Sequence, residues 1–264
     1  MKPWVVGALL LAAPAPTFAE ATVAKQKDAM TAAAGLASAD PAARTRAACE
    51  LRDLGSGAVP MLARLTAMLD DGSPVDAAVC GNRTWRHGGG TEDATTPGEQ
   101  AASALVAIGT PAYEPLTRAL TAPGWVARKN AAWALGALGN RDAVPLLTRT
   151  LRDTEAPVRR GGAWALGALD SSEAVTALVE ALKDSDAGVR EQVAWALGAI
   201  GDRRAVDGLI GALSDAAAGV RRQAAWALGS LGDRRAVTAL TKGLKDSDAG
   251  VRKQSAWALG AIGG

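Results

Sequence analysis

The chain has 264 residues, of which 48% are hydrophobic and 21% charged, and its formal net charge is +2. That composition is globular, which argues against a disordered or membrane-embedded chain and suits one large domain or an extended array. A charge so close to zero gives no chain-wide attraction to nucleic acid or anionic lipid.

Residues 1–19 read as a secretory signal. Lys2 supplies a positive start, Trp4 opens an apolar run that ends at Ala13, and Pro14 and Pro16 break it. Thr17-Phe18-Ala19 puts a small residue before a cut, so cleavage is expected after Ala19. The run is too short to span a bilayer, and no Cys follows it to carry a lipid. A membrane anchor is the alternative reading of the same residues. No later stretch reaches the roughly 18 apolar residues of a span. The processed chain is therefore expected to be soluble, without a membrane span, and periplasmic or secreted.

Residues 20–70 carry the first helical hairpins, beginning with 21–38 paired with 41–54. Export bears on Cys49 and Cys80, the two cysteines. In an oxidising compartment such a pair tends to form a disulfide, worth about 3.5 kcal/mol in the chain-entropy account; two buried free thiols are the alternative. Neither lies in a CxxC spacing, so a redox or zinc motif is not supported. Residues 71–97, rich in Gly, Thr and Asp, interrupt the second hairpin as an insertion. Tied down through Cys80, it is expected to cap the N-terminal end of a groove or to be an ordinary surface loop.

Residues 98–264 form a repeat array. Trp133, Trp164, Trp195, Trp226 and Trp257 recur at intervals of 31 residues. Around them Val189-Arg190 leads to Trp195-Ala196-Leu197-Gly198, and Val220-Arg221 leads to Trp226-Ala227-Leu228-Gly229. The period accommodates two helices of about 11 to 13 residues and two turns. Val220, Ala224, Ala227, Leu228 and Leu231 make the apolar stripe of an amphipathic helix. Gly232 is a stop, Asp233 a cap for the next helix, and Asp248 a cap for the last. Ala236, Val237, Leu240 and Leu244 are the expected buried set between them. The segments 101–109 (AASALVAIG) and 47–55 (AACELRDLG) match AAWALGALG, so the chain counts as about seven hairpins that must stack to bury their faces.

The unit VRRQAAWALGSLGDRRAVTALTKGLKDSDAG resembles the HEAT-like repeats of the phycobilisome lyase type, from about Ala42 onward. The resemblance implies an all-α fold, a right-handed α-α superhelix whose second helices line a concave side that carries the partner. Such repeats serve unrelated tasks, so the family alone does not assign one.

A helical wheel locates the tryptophans. Advancing about 100° per residue from Val220, the core stripe centres near roughly 20° and Trp226 near roughly 240°. Trp226 shares its sector with Arg222, Gln223, Gly229 and Ser230, and Trp195 shares its own with Glu191 and Gln192. Two readings stand. The indoles seal the seams between repeats, lying over Ala225- or Gly229-type positions, or they floor a groove for a ligand. On the second reading the binding set is Trp133, Trp164, Trp195, Trp226, Trp257, Arg160, Arg222, Gln192 and Gln223, and the partner is a protein or peptide, with a glycan as the alternative. Arg128, Arg159, Arg190, Arg221 and Arg252 form a second row, expected to pair with turn acids such as Asp184, Asp202, Asp215 and Asp233. Lys129 and Lys253 join Arg160 and Arg222 nearer the Trp sector, where Glu191 breaks the row, so nucleic acid is not the expected partner.

Catalysis finds little support. His87 is the lone histidine and sits beside Gly88-Gly89-Gly90, which lacks the lysine of a phosphate loop. The usual transition-metal constellations cannot be assembled from it, and no catalytic residue, metal or cofactor is assigned. Deoxyhypusine hydroxylases, which also use HEAT-like repeats, hold iron on His-Glu pairs that this sequence does not contain. A lyase- or oxidoreductase-type enzyme remains the rival class through the resemblance alone.

Overall fold

The computed structural model describes residues 28–80 and 94–263. The signal segment, residues 21–27 of the first expected helix, and Asn82, Arg83, Trp85, Arg86, His87, Glu92 and Asp93 of the insertion lie outside them. Within the described residues seven hairpins follow one another. Helical residues 28–33 and a 3-10 turn, Ala34–Ala37, precede α1 (Pro41–Leu54). Then α2 (Leu62–Met68) pairs with α3 (Pro97–Ile108), α4 (Tyr113–Ala119) with α5 (Trp125–Leu138), and α6 (Val144–Thr150) with α7 (Ala156–Ala168). The last three pairs are α8 (Val175–Ala181) with α9 (Ala187–Ile200), α10 (Val206–Ala212) with α11 (Ala218–Leu231), and α12 (Val237–Gly243) with α13 (Ala249–Gly263).

The two halves of a hairpin are less equal than the period suggests. The first half is a 3-10 turn followed by an α-helix of seven residues, as in Arg203–Ala205 and α10. An Asx residue ahead of the turn sets this up: Asn140, Asp202 and Asp233 accept the N–H groups of Asp142, Arg204 and Arg235. Asp233 therefore caps as expected, but it caps the 3-10 turn. Asp248 accepts the N–H of Val251 at 2.9 Å and starts α13. Gly232 ends α11 at φ 65, a left-handed conformation that glycine adopts without strain, and Asp170 takes the same place after α7 at φ 50.

Leucines form the rungs of the core. Leu135, Leu166, Leu197 and Leu228 from long helices, with Leu147, Leu178 and Leu209 from short ones, are fully buried. Each contributes about 1.5–3 kcal/mol by leaving water. Successive long helices pack closely on one another, whereas successive short helices touch far less. The stack consequently bends with the long helices on its inner, concave side, an all-α superhelix. Val237 and Leu244 depart from expectation, being 38% and 40% exposed, although Ala236 and Leu240 are buried. Their counterparts Val144, Val175 and Val206 are buried because a following hairpin covers them.

Arginines pin the seams at the hairpin turns. Arg190 donates through Nε and Nη2 to the Asp215 carboxylate at 2.7 and 2.8 Å, and through Nη1 to the carbonyls of Asp184 and Ser185 at 2.7 and 3.2 Å. Arg128–Asp153, Arg159–Asp184 and Arg221–Asp246 pair likewise, and Arg44 reaches Asp71 through Nε. Of the acids expected in this row, Asp184 and Asp215 serve it. Asp202 and Asp233 do not: they sit at the opposite turn, where Asp202 holds Arg204 and Asp233 holds Arg235. Among the described residues Arg252 bonds only the carbonyls of Asp246 and Ser247. The hydrogen bond from Arg221 holds the Asp246 carboxyl down at about 2. Arg190 lowers Asp215 in the same way, and for Asp184 the bonds from Arg159 and the backbone outweigh the upward push of burial.

Candidate ligand cleft on the long-helix face

Each long helix from α7 onward turns three positions away from its hairpin core: the two residues after the seam arginine, and the tryptophan five residues after it; in α5 the matching Asn130 and Trp133 are buried. The tryptophan is held by the preceding helix. The ring edge of Trp195 lies over Gly167, Trp226 over Gly198 and Trp257 over Gly229, so close that a Cβ on those glycines would stand 2.8, 2.6 and 2.6 Å from a ring carbon. Trp164 lies over Gly136 in the same way. Those contacts seat one edge of each indole in a seam, as the packing reading expects.

The other edge differs along the row. Trp133 is 9% exposed and stacks on Trp164 with ring centroids 5.9 Å apart, so it offers little surface to a ligand. Trp164, Trp195 and Trp226 are half-buried, and Trp257 is 47% exposed. Between α7, α9 and α11 a cleft of about 490 Å³ is lined by Arg160, Trp164, Glu191, Gln192, Trp195 and Gln223, with Gly188 at its wall. Five residues of the expected binding set thus share one cavity. Arg222 stands at its edge and pairs with Glu191 at 3.4 Å. Trp133, Trp226 and Trp257 do not line it.

Charge on this face follows a rule that spans neighbouring hairpins. Arg160 reaches over Gly188 at the start of α9, beside the N-cap carboxylate of Asp186, and Arg222 reaches over Gly250 beside Asp248. Glu191 reaches over Gly219 instead, where the N-cap is Ala217 and no side chain caps the helix. A carboxylate at a helix N-terminus suits the dipole, so Glu191 supplies the charge that Ala217 lacks. Lys129 is neutralised by Glu99 at 3.0 Å.

At the N-terminal end of the face the base of the insertion is tied to α1. Cys49 holds the tryptophan position of α1 and is bonded to Cys80, with Cα atoms 5.9 Å apart. Val75 and Asp76 pair antiparallel with Thr95 and Ala94 and draw the base of the insertion together. Beneath lies a buried polar cluster in which Gln100 Nε2 donates to Thr95 Oγ1 at 3.0 Å and Arg52 Nη1 donates to Gln100 Oε1 at 3.1 Å. Sequence reasoning missed this cluster. It also missed Trp125, 41% exposed at the first turn of α5. The same helix is capped from another hairpin, by Asp70 Oδ1 accepting the Ala127 N–H at 3.1 Å. Among the described residues no His, Cys, Asp and Glu side chains group in threes to hold a metal ion, and no helix is long and apolar enough to cross a membrane.

A family model described as HEAT repeats matches residues 98–167, 151–225 and 206–264. The chain belongs to the HEAT-repeat family. Solved structures agree on the fold. The Kap95:Nup1 complex aligns with a TM-score of 0.64 at 15% identity, over 88% of this chain and 36% of that one. A designed armadillo repeat protein in complex with the peptide (KR)4 aligns at 0.51 and 18% identity, over 82% of this chain and 98% of that one. The CpcE–CpcF complex of phycocyanin lyase from Nostoc sp. PCC7120 reaches 0.48 at 21% identity, over 98% and 100%. No curated protein matches the chain. Identities this low speak for the fold and not for an activity.

Proposed function

We propose that this HEAT-repeat chain is an exported scaffold that binds a protein or peptide partner on its concave long-helix face. The observation that carries the reading is the cleft between α7, α9 and α11, where indole faces meet polar side chains that the fold leaves unused. Gln192 and Gln223 have no hydrogen-bond partner among the described residues, and each indole there has one edge in the seam and the other toward the cleft. Export rests on the character of residues 1–19. Two proteins of similar fold form complexes of this kind, Kap95 with Nup1 and the designed armadillo protein with the peptide (KR)4.

The test is affinity capture from the exported fraction of the source cells, comparing wild type with two variants. Trp195→Ala with Trp226→Ala removes two indoles but also opens two seams, so its helicity must be checked by circular dichroism. Gln192→Ala with Gln223→Ala touches only the cleft and should fold as wild type. Both variants are expected to lose the captured partner, the glutamine pair by about tenfold. Undiminished capture by both folded variants contradicts the reading.

A further inference from the structure

We infer that the cleft between α7, α9 and α11 takes carboxylate side chains from an extended acidic peptide segment, a specification that rests on the partner-binding reading above. Hydrogen-bonding capacity decides the chemistry. Arg160 is half-buried and has no carboxylate within ion-pair reach among the described residues. Asp186, the acid beside it, spends Oδ1 on the Val189 N–H as the cap of α9. The one carboxylate lining the cleft, Glu191, already faces Arg222. What remains open is mostly donors: the guanidinium fork of Arg160, the amides of Gln192 and Gln223, and the indole N–H groups of Trp164 and Trp195. A guanidinium carries five N–H donors and no acceptor, and each Gln amide has two donors for one acceptor. A surface with that surplus is completed by an acceptor-rich ligand, and a planar carboxylate matches the Arg fork.

The repeat sets the spacing. Packed helices stand about 8–10 Å apart, so Arg160 and Arg222, two hairpins apart, are separated by roughly 20 Å. An extended strand covers that in about six residues at roughly 3.3 Å each. Between them the Glu191 carboxylate disfavours a third acid, while Arg222, half exposed, keeps donors beyond its one bond to Glu191. The fitting segment carries two acids about six residues apart, with uncharged residues between them to lie on the indoles.

Fluorescence titration of the full protein with three synthetic peptides tests this. All share an uncharged Thr/Gln background and carry Glu, Gln or Lys at two positions six residues apart. The Glu peptide is expected to bind about tenfold more tightly than the Lys peptide, and Arg160→Gln to remove that preference. The same substitution leaves the indole spectrum and the circular dichroism unchanged, which separates lost recognition from lost folding. Equal or tighter binding of the Lys peptide overturns the inference, and so does the absence of Glu-peptide binding at millimolar concentration. If the Lys peptide binds and the Gln192→Ala, Gln223→Ala pair abolishes it, the cleft remains a peptide site while its acidic preference falls. If no peptide binds, the acidic inference fails on its own, and partner capture still decides the broader reading.

Discussion

Gly198→Ala should destabilise the protein by about 2 kcal/mol, whereas Gly260→Ala should stabilise it by about 0.5 kcal/mol. The two glycines hold the same place in their repeats, three residues after a tryptophan. A Cβ on Gly198 would stand 2.6 Å from a ring carbon of Trp226 and 2.8 Å from the Ala227 Cα, so a rigid ring and a helix backbone would both have to move. A Cβ on Gly260 meets nothing within 4 Å, and there the substitution only restricts the unfolded chain and improves helix propensity. Urea unfolding followed by far-ultraviolet circular dichroism measures both. Neutral behaviour at Gly198 would show that the seam is looser than the contacts indicate.

Removing a seam arginine should have a still larger effect. Arg190→Ala is expected to lower stability by about 3 kcal/mol, because it strands a mostly buried Asp215 and frees two backbone carbonyls. The side chains of this pair are 16% and 11% exposed. Arg204 also touches an aspartate, but its side chain is 56% exposed, and its replacement should change stability by less than about 1 kcal/mol. Acid acts on the same row. The pKa values of Asp153, Asp184, Asp215 and Asp246 are lowered in the folded state, so the unfolded chain takes up protons first as pH falls. Their stabilisation is complete above the ordinary carboxylate value of 3.8 and is lost as pH drops toward about 2, the value held by Asp246. An Arg190→Ala protein that unfolds at the wild-type urea concentration would remove the seam pair from the account.

The period of 31 made the hairpin count and the long helices readable, since leucine, alanine and glycine recur in fixed register around each tryptophan. The seam arginines were readable as a row, but not all their partners. A carboxylate 25 residues on, at the turn before the next long helix, competes with one at the opposite turn, and spacing along the chain does not say which turn faces the guanidinium. The tryptophan row shows the same limit. A wheel gives the direction in which Trp195 leaves its helix, yet how deeply it is seated depends on how near α7 approaches, which Gly167 and Ala196 set together. Trp133 is buried because Trp164 stacks on it, a contact between hairpins that a single helix cannot reveal. The Asp70 cap on α5 was hidden by the insertion, which separates two residues 57 apart in sequence.

Hydroxyl-radical footprinting of the captured complex, reading oxidation side chain by side chain with and without partner, decides which face the partner covers. A partner on the concave long-helix face should protect Trp164, Trp195 and Trp226 while leaving exposed residues of the short helices, such as Val237, oxidised as in the free protein. Protection confined to α8, α10 and α12, with those indoles unchanged, would place the partner on the opposite side and contradict the account.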